Sequence, residues 1–476
     1  PDAIVLHWLH GSSASDEDWE WAERHRMSLV ERHKLFLRDR QPHRPGSRPS
    51  LAFPCPKIRL LYIDDRVPRL ELGSGFPRAN AIVRELAAWG AQVTLFPMFG
   101  SSEEWEEIYW SVPREVEVLR GRDASGLKAH LEARGGDYDC VWISRPHNMA
   151  SFLEVAQGNG FLGRARVVYD AEAIFASREI REAEILHGKP LPVEERSSRI
   201  GKEVSLARSA DRVVAVSEEE AREFRRQGIA EVRVIGHFLE TAPTTASYEE
   251  REDLLMVGAV HALQSPNGDA LVWFARTVLP RIRAGLSDAP PRLVAVGYGT
   301  DAPDLRRQLG PEVVTVGTVA DLAPYYERAR LFLAPTRFAS GIPHKAHEAA
   351  ARGVPIVASD LIASQLGWKT GEELVSAPVD DATAFAEACL GLYRDRLLWE
   401  RVRARALAAV ARDCDAKRFS QTIRALLEEL VAEGKRHGPP PGRVPGWNDS
   451  GAWSAPLAGA ARECVDWRPI LRRSAR

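Results

Sequence analysis

The stretch "LFLAPTRFASGIPHKAHEAAARGVPIVASD", residues 331 to 360, concentrates residue types able to hold an anion. It reads as an apolar strand, a glycine loop, a helix, a Gly-x-Pro turn and a second strand. Gly341 lets the backbone approach a ligand where a Cβ would clash, and Pro343 is preset for the first turn of a helix. Such a helix start offers unpaired amides and partial positive charge. Arg337 and Lys345 flank it, with Ser340 and Ile342 in the loop itself, so two cations and the helix amides can neutralise a diphosphate without a divalent metal. Glu348, one turn on, can accept both hydroxyls of a ribose. Taken singly, these residues have plainer readings: Arg337 suits a structural ion pair equally well, and Glu348 a solvated helix face. Their joint spacing favours the binding reading.

Elements of the right kind surround this stretch. From "KIRLLYIDD" onward, strand-length apolar runs alternate with amphipathic stretches of helix length. A first series places strands at 59–65, 92–98, 138–144, 165–171, 212–217 and 231–236, with helices such as 78–90 and 217–228 between them. After the polar hinge candidate at 241–253 the pattern restarts, with strands at 254–260, 292–297, 313–317, 331–335 and 355–359. Repeated strand, helix, strand order forces right-handed crossovers, so the expected fold is α/β, with two Rossmann-like doubly wound parallel-sheet domains facing a cleft. The domains expected are 58–240 and 254–432, and two helices broken around Asp413 to Asp415 close the second.

Outside them, residues 1–57 read as an appendage: an apolar run, a charged helix-like stretch at 15–39 and a linker rich in Pro, Arg and Ser. Residues 433–476 read as a Pro- and Gly-rich extended tail. The opening Pro1, running directly into "AIVLHWLHG", suggests a piece of a longer polypeptide.

Composition narrows the function classes. With 64 Lys plus Arg against 66 Asp plus Glu, the formal charge of −2 argues against nucleic acid as a partner. The five cysteines (Cys55, Cys140, Cys389, Cys414 and Cys464) show neither metal-ligand spacing nor a disulfide framework, which fits a reducing cytoplasm and no metal. No apolar run reaches the roughly 18 residues of a membrane span, and no signal peptide is readable. Membrane association, if any, is expected to be peripheral, at the inner face. Trp105, Trp110, Trp273 and Trp368 read as packing residues.

The stretch "SGIPHKAHEAAARGVPIVAS" resembles the donor-binding signature of the family 4 retaining glycosyltransferases (glycosyl transferases group 1), and the resemblance extends through most of 58–432. The usual signature has two glutamates eight positions apart; Glu348 matches the second, and Ser340 stands where the first contacts the transferred sugar. "LLMVGAVHALQSPNGDALVWFARTVLPRI" resembles the opening of the family's C-terminal domain, where relatives carry an Arg and a Lys for the donor phosphates; here Gly258, His261, Ser265 and Asn267 stand nearby instead. "DDRVPRLELGSGFPRANAIV" resembles the glycine-rich loop that puts Gly73 and Gly75 opposite the sugar and diphosphate. "DCVWISRPHNMA" aligns with a loop carrying a histidine beside the reacting centre, a role for His147 or Arg145. "VVYDAEAIFASREIREAE" resembles a subset of polysaccharide-assembly enzymes and makes Asp170, Glu172 and Arg178 acceptor-side candidates. Residues 1 to about 50 faintly resemble the tail of inverting family 2 glycosyltransferases, which implies a neighbouring glycosyltransferase domain.

The resemblance implies a GT-B enzyme of bacterial surface-polysaccharide or O-antigen assembly. It would transfer a sugar from a nucleotide-sugar substrate to a glycan or lipid-linked glycan acceptor, with retention, without cofactor or metal. Two rival readings share the fold: a sugar-nucleotide epimerase or hydrolase, and a non-catalytic nucleotide-sugar-binding module, which Ser340 keeps open.

Overall fold

In the computed structural model of the chain the described residues are 57–437, apart from 74, 157–158, 164, 287 and 289, together with 24, 25, 27, 28, 31 and 32, which are helical. The remaining residues of the appendage and the Pro- and Gly-rich tail from 438 onward lie outside the described residues. Residues 1–57 form one unit and 58–476 another.

The first sheet of the 58–476 unit contains β1 (Ile58–Asp64), β2 (Ala91–Pro97), β3 (Glu117–Val118), β4 (Cys140–Ser144), β5 (Arg166–Asp170), β6 (Arg212–Ala215) and β7 (Val232–Val234), in the order β3-β2-β1-β4-β5-β6-β7. The second contains β8 (Asp253–Val257), β9 (Leu293–Val296), β10 (Val313–Gly317), β11 (Ala329–Ala334), β12 (Ile356–Ser359) and β13 (Val375–Ala377), in the order β10-β9-β8-β11-β12-β13. Every pairing is parallel. All eleven strands read from the sequence are present, and two short edge strands, β3 and β13, join them. Segments of two and three residues are too short to show a hydrophobic period.

The intervening helices of the first domain are α1 (Phe76–Trp89), α2 (Trp105–Ser111), α3 (Leu127–Arg134), α4 (Pro146–Ala156), α5 (Phe175–His187), α6 (Val193–Ser205) and α7 (Glu218–Arg226). Those of the second are α8 (Pro266–Trp273), α9 (Leu279–Gly285), α10 (Pro303–Arg306), α11 (Ala323–Arg328), α12 (His344–Ala351), α13 (Asp360–Leu366), α14 (Ala382–Arg394) and α15 (Arg396–Asp413), followed by α16 (Ala416–His437).

Parallel strands are buried on both faces, which is why they read as continuous apolar runs. In β1, Leu61 and Ile63 enter one core, whereas Ile58, Leu60 and Tyr62 enter the core on the opposite face. The second sheet likewise has a core on each side.

Chain order and packing part company at α16. It follows the second domain, yet Phe419, Ile423, Leu426 and Leu430 pack with Ile82, Val83 and Leu86 of the first. Arg424 Nε lies 2.7 Å from Glu85 Oε1, and Arg233 Nη2 donates to Glu429 Oε2 at 2.9 Å. An amphipathic helix settles where an apolar face is open, and α1 supplied one.

The 241–253 segment is held along the second domain. The amides of Ala242 and Thr244 donate to the carbonyls of Ala351 and Arg352 at 2.9 and 3.0 Å. The fully buried Arg251 donates through Nη1 to the carbonyls of Tyr326 and Ala329 at 2.8 and 3.1 Å. Free hinge motion across that whole segment would break these bonds. Of the four tryptophans read as packing residues, Trp368 is buried and Trp273 packs edge-on against Phe385, but Trp105 and Trp110 are 45% and 87% exposed.

Candidate active site

In each sheet the strand order reverses once, between β1 and β4 and between β8 and β11. At such switch points the loops leaving adjacent strands diverge to opposite faces and open a crevice beyond the carboxyl ends. The two crevices contribute to one cavity of about 880 Å³, lined from the first domain by residues including Gly73, Gly75, Arg145, Glu172 and Arg178, and from the second by Gly258, Ser340, Gly341, Ile342, Lys345 and Glu348.

The first-domain wall is an ionic network. Asp64 and Asp65 leave β1, and Arg145 leaves β4 with a left-handed backbone at φ 78°. Arg145 Nε lies 2.9 Å from Asp64 Oδ1 and 3.4 Å from Asp65 Oδ2, and its Nη1 lies 2.9 Å from Glu172 Oε2. The guanidinium stacks on Phe76 at 4.6 Å. Glu172 itself sits at φ 57°, an uncommon conformation outside glycine. Burial pushes its carboxyl up to about 7, against the pull of Arg145. The Glu172 side chain lies over Gly75, where an added Cβ would fall 1.3 Å from Oε1, so this approach requires glycine there.

His147 Nε2 is 2.5 Å from Asp65 Oδ1, which also accepts from Asn148 Nδ2 at 2.8 Å. Its ring stacks on Phe99 and is not among the residues that line the cavity. Asp170 is fully buried rather than open to an acceptor. Its Oδ2 receives Arg78 Nη1 at 2.9 Å and Trp142 Nε1 at 3.4 Å, and its Oδ1 receives the Glu172 amide at 3.2 Å. Asp170 therefore shapes the turn that presents Glu172.

On the second-domain wall, Lys345 Nζ donates to Asn267 Oδ1 at 2.6 Å, and Asn267 Nδ2 donates to the Ala259 carbonyl at 2.8 Å. A Cβ on Gly258 would meet Asn267 Nδ2 at 2.7 Å, so that glycine admits the amide that holds the lysine. Among the described residues no carboxylate pairs with Lys345, and burial alone pushes its ammonium down to about 8. Glu348 is held up from the ordinary carboxylate range by burial, with Arg352 and the Tyr326 hydroxyl acting in the other direction.

Arg337 stands apart from this wall. Its Nε donates to Asp269 Oδ2 at 2.8 Å and its Nη2 to Oδ1, the fork-to-fork pairing that satisfies a guanidinium, so of its two sequence readings the geometry favours the ion pair. His261 leans on Tyr298 at 5.6 Å, also outside the lining residues. Among the described residues no group of three or more His, Cys, Asp or Glu side chains is arranged to hold a metal ion.

The structure therefore brings most of the expected residues to one cavity and leaves Arg337, His261, His147 and the fully buried Asp170 outside its lining. Sequence reasoning missed Asp64 and Asp65, although a doubled aspartate at the end of the first strand stood at the switch point. Arg78 gave no such signal, because its partners are an aspartate at 170 and a carbonyl at 235.

Two doubly wound parallel sheets sharing one cleft define the GT-B class of glycosyltransferases. Two family models match, one domain each: "Glycosyltransferase Family 4" over residues 78–242 and "Glycosyl transferases group 1" over residues 251–395. The chain belongs to the group 1 glycosyltransferases of GT-B type and is a glycosyltransferase. Sucrose-phosphate synthase from Thermosynechococcus elongatus superposes with a TM-score of 0.58 at 17% identity, covering 79% of this chain and 100% of that one. HepE from Anabaena, solved with UDP and glucose, gives 0.57 at 16% identity, covering 78% and 100%. A glycosyltransferase from Rickettsia africae gives 0.53 at 11%, covering 79% and 98%. No curated protein sequence matched. No helix among the described residues is long and apolar enough to cross a membrane.

Proposed function

We propose that the enzyme transfers a sugar from a nucleotide-sugar donor to a glycan or glycolipid acceptor, with retention of configuration and without a divalent metal. The observation that carries this is Lys345, a half-buried cation in the cavity wall whose hydrogen-bond partner among the described residues is the neutral amide of Asn267. A cation partly withdrawn from water without a counter-charge is costly, and that cost falls when an anion binds beside it. Lys345 lies in the first turn of α12, where a helix start carries partial positive charge, and a diphosphate suits both.

Glu348, one turn further along α12, takes the ribose hydroxyls. The acceptor approaches from the side of Arg145, Glu172 and Arg178. The bond from the anomeric carbon to the leaving diphosphate breaks, the acceptor oxygen bonds to that carbon on the same face, and its proton passes to the departing phosphate oxygen. Lys345 and the amides stabilise the charge that builds on the leaving group, and the enclosing walls limit hydrolysis. Ser340, beside Gly341, offers a hydroxyl where the family motif has a carboxylate, which narrows the polar contacts available to the transferred sugar.

The test is a screen of nucleotide sugars by thermal shift, starting with UDP-glucose, followed by product analysis in excess EDTA. Transfer with retained anomeric configuration under chelation is expected. An altered sugar nucleotide formed without acceptor would replace this reading with the epimerase or hydrolase one, and donor binding without transfer to any acceptor would favour the non-catalytic module.

A further inference from the structure

We propose that Glu220 is a positioning residue that ties the donor loop of the second domain to the acceptor loop of the first, holding the cleft shut. The acceptor loop runs through Glu172, Ala173 and Ile174 into α5. Two buried carboxylates hold its amides. Glu203 accepts from the Phe175 and Ala176 amides at 2.7 and 2.6 Å, and Glu220 Oε1 accepts from the Ile174 amide at 3.0 Å. Glu203 makes its loop contacts on one domain only.

Glu220 differs because it also faces the other domain. Its Oε2 is sealed from solvent with no hydrogen-bond partner among the described residues, while the Gly341 backbone lies near enough to draw the carboxyl down. Gly341, at φ 72°, sits directly on the first domain: a Cβ there would meet Ala173 Cβ at 3.2 Å, the Glu172 carbonyl at 3.6 Å and Val216 Cγ1 at 3.9 Å. Glu220 is rigidly mounted in the first turn of α7, where its own amide donates to Ser217 Oγ at 3.2 Å. Burial raises its carboxyl to about 7, and the Ile174 and Gly341 amides pull it back down.

When the walls part, water replaces the Gly341 amide at Glu220 and the carboxylate at Gly341. When they meet, one desolvated carboxylate accepts the Ile174 amide and lies beside the Gly341 amide, and the attraction of an amide for a charged acceptor is stronger than for a neutral one. The contact forms only in the closed arrangement, so it stabilises closure. This inference rests on the proposed donor site, but it can be read without any ligand.

Glu220→Gln in the full chain is the discriminating variant. It keeps the size of the side chain and one carbonyl oxygen for an amide, but its NH2 group confronts the second amide donor to donor. Hydrogen exchange of the ligand-free protein should then rise about tenfold or more in both the 339–345 and 171–176 segments, with the strands of both sheets unchanged. Faster exchange at 171–176 alone would overturn the proposal, since Glu220 would then serve the first domain only, and unchanged exchange in both would do the same. Gly341→Ala, whose Cβ presses on Ala173 without touching Glu220, should accelerate exchange at 171–176 as well; protection retained there argues against the seam. Loss of UDP-glucose binding in Lys345→Met reports on the donor site separately, so either idea can fail while the other stands.

Discussion

Arg145 and Glu172 meet as a 2.9 Å ion pair on the cavity wall, and they are the two non-glycine residues with left-handed backbone among those described. They follow the adjacent parallel strands β4 and β5. Each such conformation costs on the order of 1–3 kcal/mol and persists only where the surroundings impose it. Asp64, Asp65 and the Asp170-held turn impose it here. Strained backbone, a buried ion pair and the sheet's switch point coincide, which is the arrangement expected of a surface kept rigid for a reacting group.

Removing the cation should therefore unsettle the wall. Arg145→Met leaves Asp64, Asp65 and Glu172 facing one another without their guanidinium, and a loss of about 3–5 kcal/mol of stability is expected from denaturant unfolding. Adding Glu172→Gln to that variant should restore part of it; no recovery would mean that the pair is not coupled.

Gly75→Ala is expected to abolish transfer while leaving a folded protein. The new Cβ would fall 1.3 Å from Glu172 Oε1, on a backbone at φ 85°, so Glu172 must leave its place. Wild-type turnover in this variant would show that the position of Glu172 does not matter.

Donor binding should weaken as pH rises. In the unliganded protein burial holds the Lys345 ammonium at about 8, so the site carries its cation below that pH and loses it above. Calorimetric titration should show affinity falling from pH 7 to 9, with proton uptake on binding at the alkaline end, because a bound diphosphate favours the charged form. Lys345→Met should bind weakly with no such slope.

Glu348→Ala should raise the donor KM by about 10-fold to 100-fold, the range for losing hydrogen bonds to a charged group. An unchanged KM and turnover would displace the nucleotide from α12. Arg337→Gln, by contrast, should leave the donor KM within about twofold, since Asp269 already holds the guanidinium.

Acid stability gives an independent check on the seam beneath the donor loop. His237 Nδ1 and His347 Nδ1 lie 3.0 Å apart, and His344 packs edge-on against His237. Burial lowers His344 and His347 to about 4. A base whose folded pKa is depressed binds more protons when unfolded, so its contribution is intact above about 6.5 and is lost as pH falls toward 4. The buried Glu172, Glu203 and Glu220, raised to about 7, act in the opposite direction across much of that window. Comparing His344→Gln with wild type isolates the one group: the difference in Tm should move in the variant's favour as pH drops from 6.5 to 4. A pH-independent difference would rule out a buried neutral His344.

How much could be read in advance depended on how local each feature is. Two doubly wound sheets were legible because a strand followed by an amphipathic helix is written in consecutive residues, and burial on both faces leaves an unbroken apolar run. The donor wall was legible for the same reason, since Ser340, Gly341, Ile342, Lys345 and Glu348 occupy one loop and the helix after it. Side-chain pairing across the fold was not. Lys345 is held by Asn267, Arg337 is taken by Asp269, and Arg78 reaches Asp170, each across roughly seventy to ninety residues of sequence. Which of several cations near a glycine loop remains available to a ligand depends on where distant carboxylates fall. Likewise, the amphipathic period of α16 predicts that it must cover an apolar face, but only packing decides that this face belongs to the first sheet. Local periodicity determined the elements and the loop and helix of the proposed donor wall; the pairing of charges and the meeting of the two walls came from contacts that exist only once both sheets have formed.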